Sequence, residues 1–236
     1  MISEKQLSEF VDRLKTAAGA NLLCVVLHGS AASEEFHAEF SDVNILCVVG
    51  ELSVAAMHSL VPALNWWTGF KHSAPLLFTA EELKTAADVF AIEMLDIQQR
   101  HRVLYGNDIF THLHIPMARH RMQLEHELRT KLLFLRQHYL VSSGDDGKVR
   151  HLMLDSVSSF IVLFRHTLLA MGEKPPHIKK EIVERLATVV PFDAAPFQQL
   201  LQVREGKLKA ETLDVKTVFA GYLQGIERVV RTVDAL

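Results

Sequence analysis

Two cysteines in 236 residues, Cys24 and Cys47, are too few for a disulfide-stapled fold. Both lie inside apolar, strand-like runs, where buried free thiols are expected. Proline and glycine are scarce, at 7 and 11, which excludes collagen-like and low-complexity chains. No uninterrupted apolar run reaches the roughly 18 residues a membrane span requires. The chain opens on Ser3, Glu4 and Lys5, without the basic and then apolar pattern of an export signal. These absences predict a cytoplasmic protein with no membrane partner.

What is present is the composition of a folded globular chain, 49% hydrophobic and 22% charged. The length suits one large domain or two ordinary ones. Net charge is -3, but residues 1–115 hold 7 Lys/Arg against 14 Asp/Glu, and residues 116–236 hold 18 against 14. An acidic half suited to divalent cations beside a basic half suited to a polyanion fits a nucleotide enzyme; two ordinary solvated surfaces fit equally well.

Apolar spacing predicts a helix over residues 3–18, stopped by Gly19, then a β-branched strand over 22–27 that leads straight into Gly29 and Ser30. A second strand covers 43–49, a helix 53–64 and a short strand 75–78. Thr79 and Glu82 have the spacing of a capping box. Residues 90–97 read as another strand, carrying Glu93 and Asp96. Trp66 and Trp67 read as a packing pair. Beyond Pro116 the pattern is helical only: a stripe of Leu124, Leu128, Leu132, Leu135 and Tyr139, a long apolar helix over 149–171, shorter ones near 178–189 and 194–204, and a last one over 214–234. Its apolar face serves either its own core or a homodimer. The fold class expected is α+β, a small mixed sheet domain over 1–112 followed by an all-α helical bundle over 116–236.

The chemistry concentrates in Gly29-Ser30, eleven residues, then Asp42-Val43-Asn44. Gly29 lets backbone approach phosphate oxygens, and Ser30 adds a hydroxyl. Asp42, at the head of the second strand, offers a hard oxygen ligand for Mg²⁺, and position 44, two residues on, shares its face. That position is Asn, whose amide oxygen can coordinate but brings no charge. A third carboxylate is expected from a neighbouring strand, with Glu93 favoured over Asp96 because an acid amid apolar residues needs a charged partner. Arg102 follows as a candidate for steering phosphate. His28 is read as packing against the turn or capping it. Arg121 and His126, and the pair His112 and His114, are weaker signals, read as surface residues.

Gly-Ser, the spacer and Ser-Asp-Val-Asn-hydrophobic resemble the polymerase-beta-like nucleotidyltransferase superfamily. The run from Phe90 to Asp96 followed by Arg102 to Asp108 looks like the end of that domain in bacterial aminoglycoside-type and minimal nucleotidyltransferases. These commonly continue into a helical bundle of HEPN or kanamycin-nucleotidyltransferase type. The resemblance implies a nucleoside triphosphate with Mg²⁺, transfer of a nucleoside monophosphate to a hydroxyl of a small molecule or protein, Gly29 and Ser30 at the phosphates, and Asp42, Asn44 and Glu93 at the metal. It also implies a general base from the helical half, at Glu125 or Glu127. Nucleic acid as the acceptor has no support in the residues. The alternative, which Asn44 favours, is a catalytically degenerate nucleotide-binding protein or a toxin-antitoxin type partner.

Overall fold

A computed structural model describes residues 3–32 and 43–236. The chain divides into two compact units, Met1–Met117 and Ala118–Leu236.

In the first unit, Ser3 caps helix α1 (Glu4–Ala18), its hydroxyl accepting from the N–H of Gln6 at 3.1 Å. Leu7, Phe10, Val11 and Leu14 form its buried face. Strands β1 (Leu22–His28) and β2 (Asn44–Val49) pair antiparallel, and helix α2 (Val54–Thr68) follows. Strand β3 (Leu76–Thr79) pairs parallel with β2, and Thr79 then caps α3 (Ala80–Ala86). The expected capping box is present: Thr79 N–H donates to Glu82 at 2.8 Å, and Glu82 N–H donates to the Thr79 hydroxyl at 3.1 Å.

The strand expected over residues 90–97 is a helix, α4 (Ala91–Gln99), and the strand comes next, as β4 (His101–Gly106). Ala91, Ile92, Met94 and Ile97 are the buried residues of α4, a helical spacing that a period-2 reading of the same apolar run mistakes for a strand. The sheet is mixed, in the order β3-β2-β1-β4, with β4 antiparallel to β1.

Both faces of the central strands are covered, so β1 and β2 read as continuous apolar runs. Val25, Leu27, Ile45, Cys47 and Val49 pack with α1 and α2 around Phe10 and Trp67. These two rings stack with centroids 4.3 Å apart, and the Trp67 indole N–H donates to the Ser73 carbonyl at 2.9 Å, the packing role read for this tryptophan. Cys24, Val26, Leu46 and Val48 pack on the other side with Leu83, Met94, Ile97, Phe110 and Leu113. Burial pushes the Cys24 thiol up to about 11, with the charge of Asp108 adding to it, and Cys47 up to about 12; both are inert as nucleophiles.

The second unit comprises α5 (His120–Ser142), α6 (Asp146–Ala170), α7 (Lys179–Val189), α8 (Ala195–Arg204) and α9 (Val215–Asp234). Helix α6 touches the other four. It is the one described helix long and apolar enough to cross a membrane, and most of its apolar window is buried by its neighbours. The leucine stripe of α5 is buried as expected, and Tyr139 stacks on Phe219 at 4.1 Å. The apolar face of α9, including Phe219, Tyr222, Ile226 and Val233, is buried within this unit. Arg121 donates to the Val233 carbonyl at 3.1 Å and so ties α5 to the end of α9, while His126 is exposed.

Deep between α5 and α6, His120 and His166 are 2% and 0% exposed, with Nε2 of the first 2.8 Å from Nδ1 of the second. Arg165 lies 3.3 Å from His166 Nε2. A guanidinium can only donate, so His166 accepts there, carries its proton on Nδ1 and donates it to His120. Burial, and then the repulsion between two protonated rings once His166 is charged as well, push His120 down to about 4. A histidine depressed in the folded state stabilises fully above its unfolded pKa near 6.5, and the contribution is lost as pH falls toward about 4. Thermal unfolding between pH 7.5 and 4.5 is therefore expected to show a loss on the order of 3 kcal/mol from this residue. His120→Gln keeps an acceptor for His166 and removes the proton site, so it should flatten the profile; an unchanged slope would refute the assignment.

Candidate functional site

Strand β1 runs out at His28, and Gly29 turns the chain with φ 71° into a single 3-10 turn, Gly29–Ala32. This conformation suits glycine, which has no Cβ to clash. Strand β2 begins directly opposite, with Asn44 paired to His28. A Cβ placed on Gly29 would lie 3.1 Å from the Asn44 side-chain nitrogen, so the amide rests against the glycine of the turn. The convergence expected between the Gly29-Ser30 bend and the Asp42 carboxylate falls outside the described residues; what they hold is the contact of Gly29 with Asn44. The side chain of Ser30, and Asp42 altogether, lie outside them.

On the other side of β1, His28 pairs with His101, the first residue of β4. Directly paired residues project to the same face, so Asn44, His28 and His101 form a row across three strand ends. Two residues further in, Leu46, Val26 and Val103 occupy that face over the α3 and α4 core. The row is polar and ends an apolar layer. His28 Nε2 is buried there with no hydrogen-bond partner among the described residues, and burial followed by the charge of His101 pushes it down to about 4. His28 is therefore a neutral imidazole whose Nε2 has no partner among the described residues.

His101 is held from two directions. Its Nδ1 lies 2.8 Å from the Ile97 carbonyl at the end of α4, and its Nε2 lies 3.0 Å from Asp108 Oδ1. Burial raises the Asp108 pKa, but the Thr111 hydroxyl, His101 and the N–H groups of Phe110 and Thr111 outweigh it and hold it at about 2. The carboxylate is ionised.

The remaining candidates fall elsewhere. Arg102 pairs with Leu27, so it projects to the opposite face, where it donates to Glu4 at 2.9 Å. Glu93 is on the exposed side of the first turn of α4, not on a strand beside β1. The residue through which α4 meets the row is Ile97, about one helical turn, or ~6 Å, further along the axis. Asp96 is half-buried in the last turn of α4. None of the four described strands contains Asp or Glu. Among the described residues no three His, Cys, Asp or Glu side chains gather as a metal group. Among the described residues, this corner offers Mg²⁺ one neutral oxygen, from Asn44.

The sequence reading missed His101 and Asp108. A signal was there: Asp108 precedes Phe110 and Thr111 as an Asx-type turn.

A mixed four-stranded sheet flanked by helices, with a tight Gly-Ser turn between β1 and β2 and a helical unit after it, is a nucleotidyltransferase-like fold. The solved structure of the spectinomycin adenyltransferase of Enterococcus faecialis, with ATP and spectinomycin, is similar to this chain over 96% of its length and 99% of that chain, with a TM-score of 0.57 and 15% identity. No protein-family model matches the sequence, and no curated protein matches it.

Proposed function

We propose that the protein binds a nucleoside triphosphate at the Gly29 turn and transfers its nucleoside monophosphate to a hydroxyl group of a small molecule. The observation that supports this most is the seating of the Asn44 amide against a left-handed glycine at the ends of two paired strands. The similar adenyltransferase is an enzyme solved with ATP and a small-molecule acceptor, and the likeness runs through both units. Ser30 and the N–H groups of the turn would hold phosphate oxygens, and Asp42 would be the charged protein ligand of the Mg²⁺ that accompanies the triphosphate. When bound, that ion would supply charge neutralisation at the phosphates.

Pyrophosphate release from ATP, measured with a panel of aminocyclitol and aminoglycoside acceptors, tests the reading. Release above background with at least one acceptor is expected. Asp42→Asn should lower it roughly 100-fold or more, whereas Glu93→Gln, on the exposed side of α4, should change it by less than about threefold. A second reading, a nucleotide-binding protein without transfer, is favoured by Asn44 in place of a carboxylate. It predicts ATP binding with no release for any acceptor. Absence of ATP binding removes both.

A further inference from the structure

A cavity of about 360 Å³ lies where α9 passes the loop between α7 and α8, and residues of the helical unit alone line it. Gln224, Arg228 and Arg231 stand four and three residues apart, so one face of α9 presents all three to it. Phe192 and Asp193 close the other side. That wall is fixed: the Phe192 ring centroid lies 5.8 Å from that of Phe164 and 5.5 Å from that of Phe197, and a Cβ on Gly225 would meet the Phe192 ring at 3.1 Å.

Ion pairing sets these two arginines apart. Elsewhere in the unit Arg129 pairs with Glu125 and Asp234, Arg136 with Glu227 and Arg185 with Glu173, while Arg121 and Arg204 donate to backbone carbonyls. The guanidiniums of Arg228 and Arg231 have neither an ion pair nor a hydrogen bond among the described residues, although the Asp193 carboxylate lines the same cavity. Arg231 lies in the last turn of α9, where the helix end favours a cation, but Arg228 is a turn earlier. Two like charges one turn apart repel each other, and an anion between them removes that repulsion. Asp193 engages the Ala195 N–H through Oδ1 at 2.9 Å, which leaves its Oδ2 able to accept.

We propose that this cavity binds a phosphate monoester with a hydroxylated organic part, the chemistry of a sugar phosphate. Guanidinium forks match the oxygens of a phosphate, and two cations facing one group favour a dianion over a lone carboxylate. Asp193 Oδ2 and the Gln224 amide then meet the hydroxyls, a contact that a carboxylate makes well with a hydroxyl and badly with a second phosphate. The volume is in the range of small-molecule pockets. The site shares no residue with the Gly29 turn and stands whether or not that turn binds a triphosphate.

Ribose 5-phosphate titrated into the protein tests it, read from the ¹H–¹⁵N signals of the arginine Nε groups, with Arg228 and Arg231 assigned by their loss in Arg228→Gln and Arg231→Gln. Both signals should move together, with half-saturation at about 1 mM or below. Each variant, read from the signal that remains, should weaken binding at least about tenfold without a change in melting temperature, since both side chains are exposed. Inorganic phosphate and ribose, each alone, should bind at least about fivefold more weakly than the ester. No movement up to about 20 mM overturns the proposal, and so does equal binding of citrate, which would make this an unselective anion surface. Binding that survives both variants and is lost in Gly29→Ala puts the probe at the strand-end turn and also overturns it.

Discussion

Gly106→Ala is expected to unfold the sheet unit or lower its melting temperature by roughly 15 °C or more, which is about 3 kcal/mol or above for a unit of this size. Gly106 closes β4 against β1 with φ 80°, where an L side chain is strained by ~1–2 kcal/mol. The strain is the smaller part. An added Cβ would sit 2.0 Å from the carbonyl oxygen of Leu23 and 3.0 Å from its carbon, and both are backbone atoms that no rotamer change can move. The two strands would have to separate at the Cys24–Gly106 pair, next to the register shift between Val25 and Val26. Because β4 also carries His101, the row at the strand ends should be lost with it. Gly206→Ala is the control: it has φ 69° with nothing within 4 Å, so only the strain should appear, as about 1–2 kcal/mol. Equal losses for the two variants in thermal or urea unfolding would show that the close approach to Leu23 carries no cost.

The parts of the fold that were legible before the structure are those where one physical signal dominates. Leu7, Phe10, Val11 and Leu14 have helical spacing and a serine cap in front, and they form α1. Thr79 and Glu82 are three apart and satisfy each other's N–H groups. The residues 90–97 failed because a short apolar run with one acid fits either period, and only burial decides it. Here Met94 and Ile97 turn toward the Leu83 and Phe110 layer, which leaves Glu93 at the surface. Shifting the strand to His101–Gly106 changes the chemistry as well as the topology, since the residue beside His28 becomes a histidine rather than a glutamate.

The contact of Gly29 with Asn44 follows from the pairing of β1 with β2, a local property of a chain that doubles back on itself. Arg102 is expected at the phosphates because it follows the acidic run over 90–97, and strand alternation sends it to the face opposite the row, to Glu4. The His101, Ile97 and Asp108 arrangement joins a helix end, a strand start and a turn, and no short pattern encodes a bond between residues that three separate elements bring together. The helical unit behaves similarly. Its apolar stripes were readable, while the His120–His166 bond between α5 and α6 joins residues 46 apart in sequence.

Gly29→Ala is expected to lower triphosphate affinity at least tenfold, about 1.4 kcal/mol, while costing the fold only ~1–2 kcal/mol. The added methyl would meet the Asn44 side-chain nitrogen at 3.1 Å, a contact that a side chain can relieve by moving a few tenths of an ångström, unlike the backbone at Leu23. Relief, however, turns the amide away from the turn and distorts the N–H groups that would hold phosphate oxygens. Stability and binding should therefore separate in a double-mutant cycle. Asn44→Ala in the Gly29→Ala background removes the crowded nitrogen and should recover part of the stability, by roughly 0.5 kcal/mol, because the two residues touch. It should not recover affinity if, as proposed, the amide is itself part of the cradle. If affinity returns together with stability, the Asn44 amide is a filler of the turn rather than a contact for the phosphate chain, and the nucleotide site has to be sought away from these strand ends.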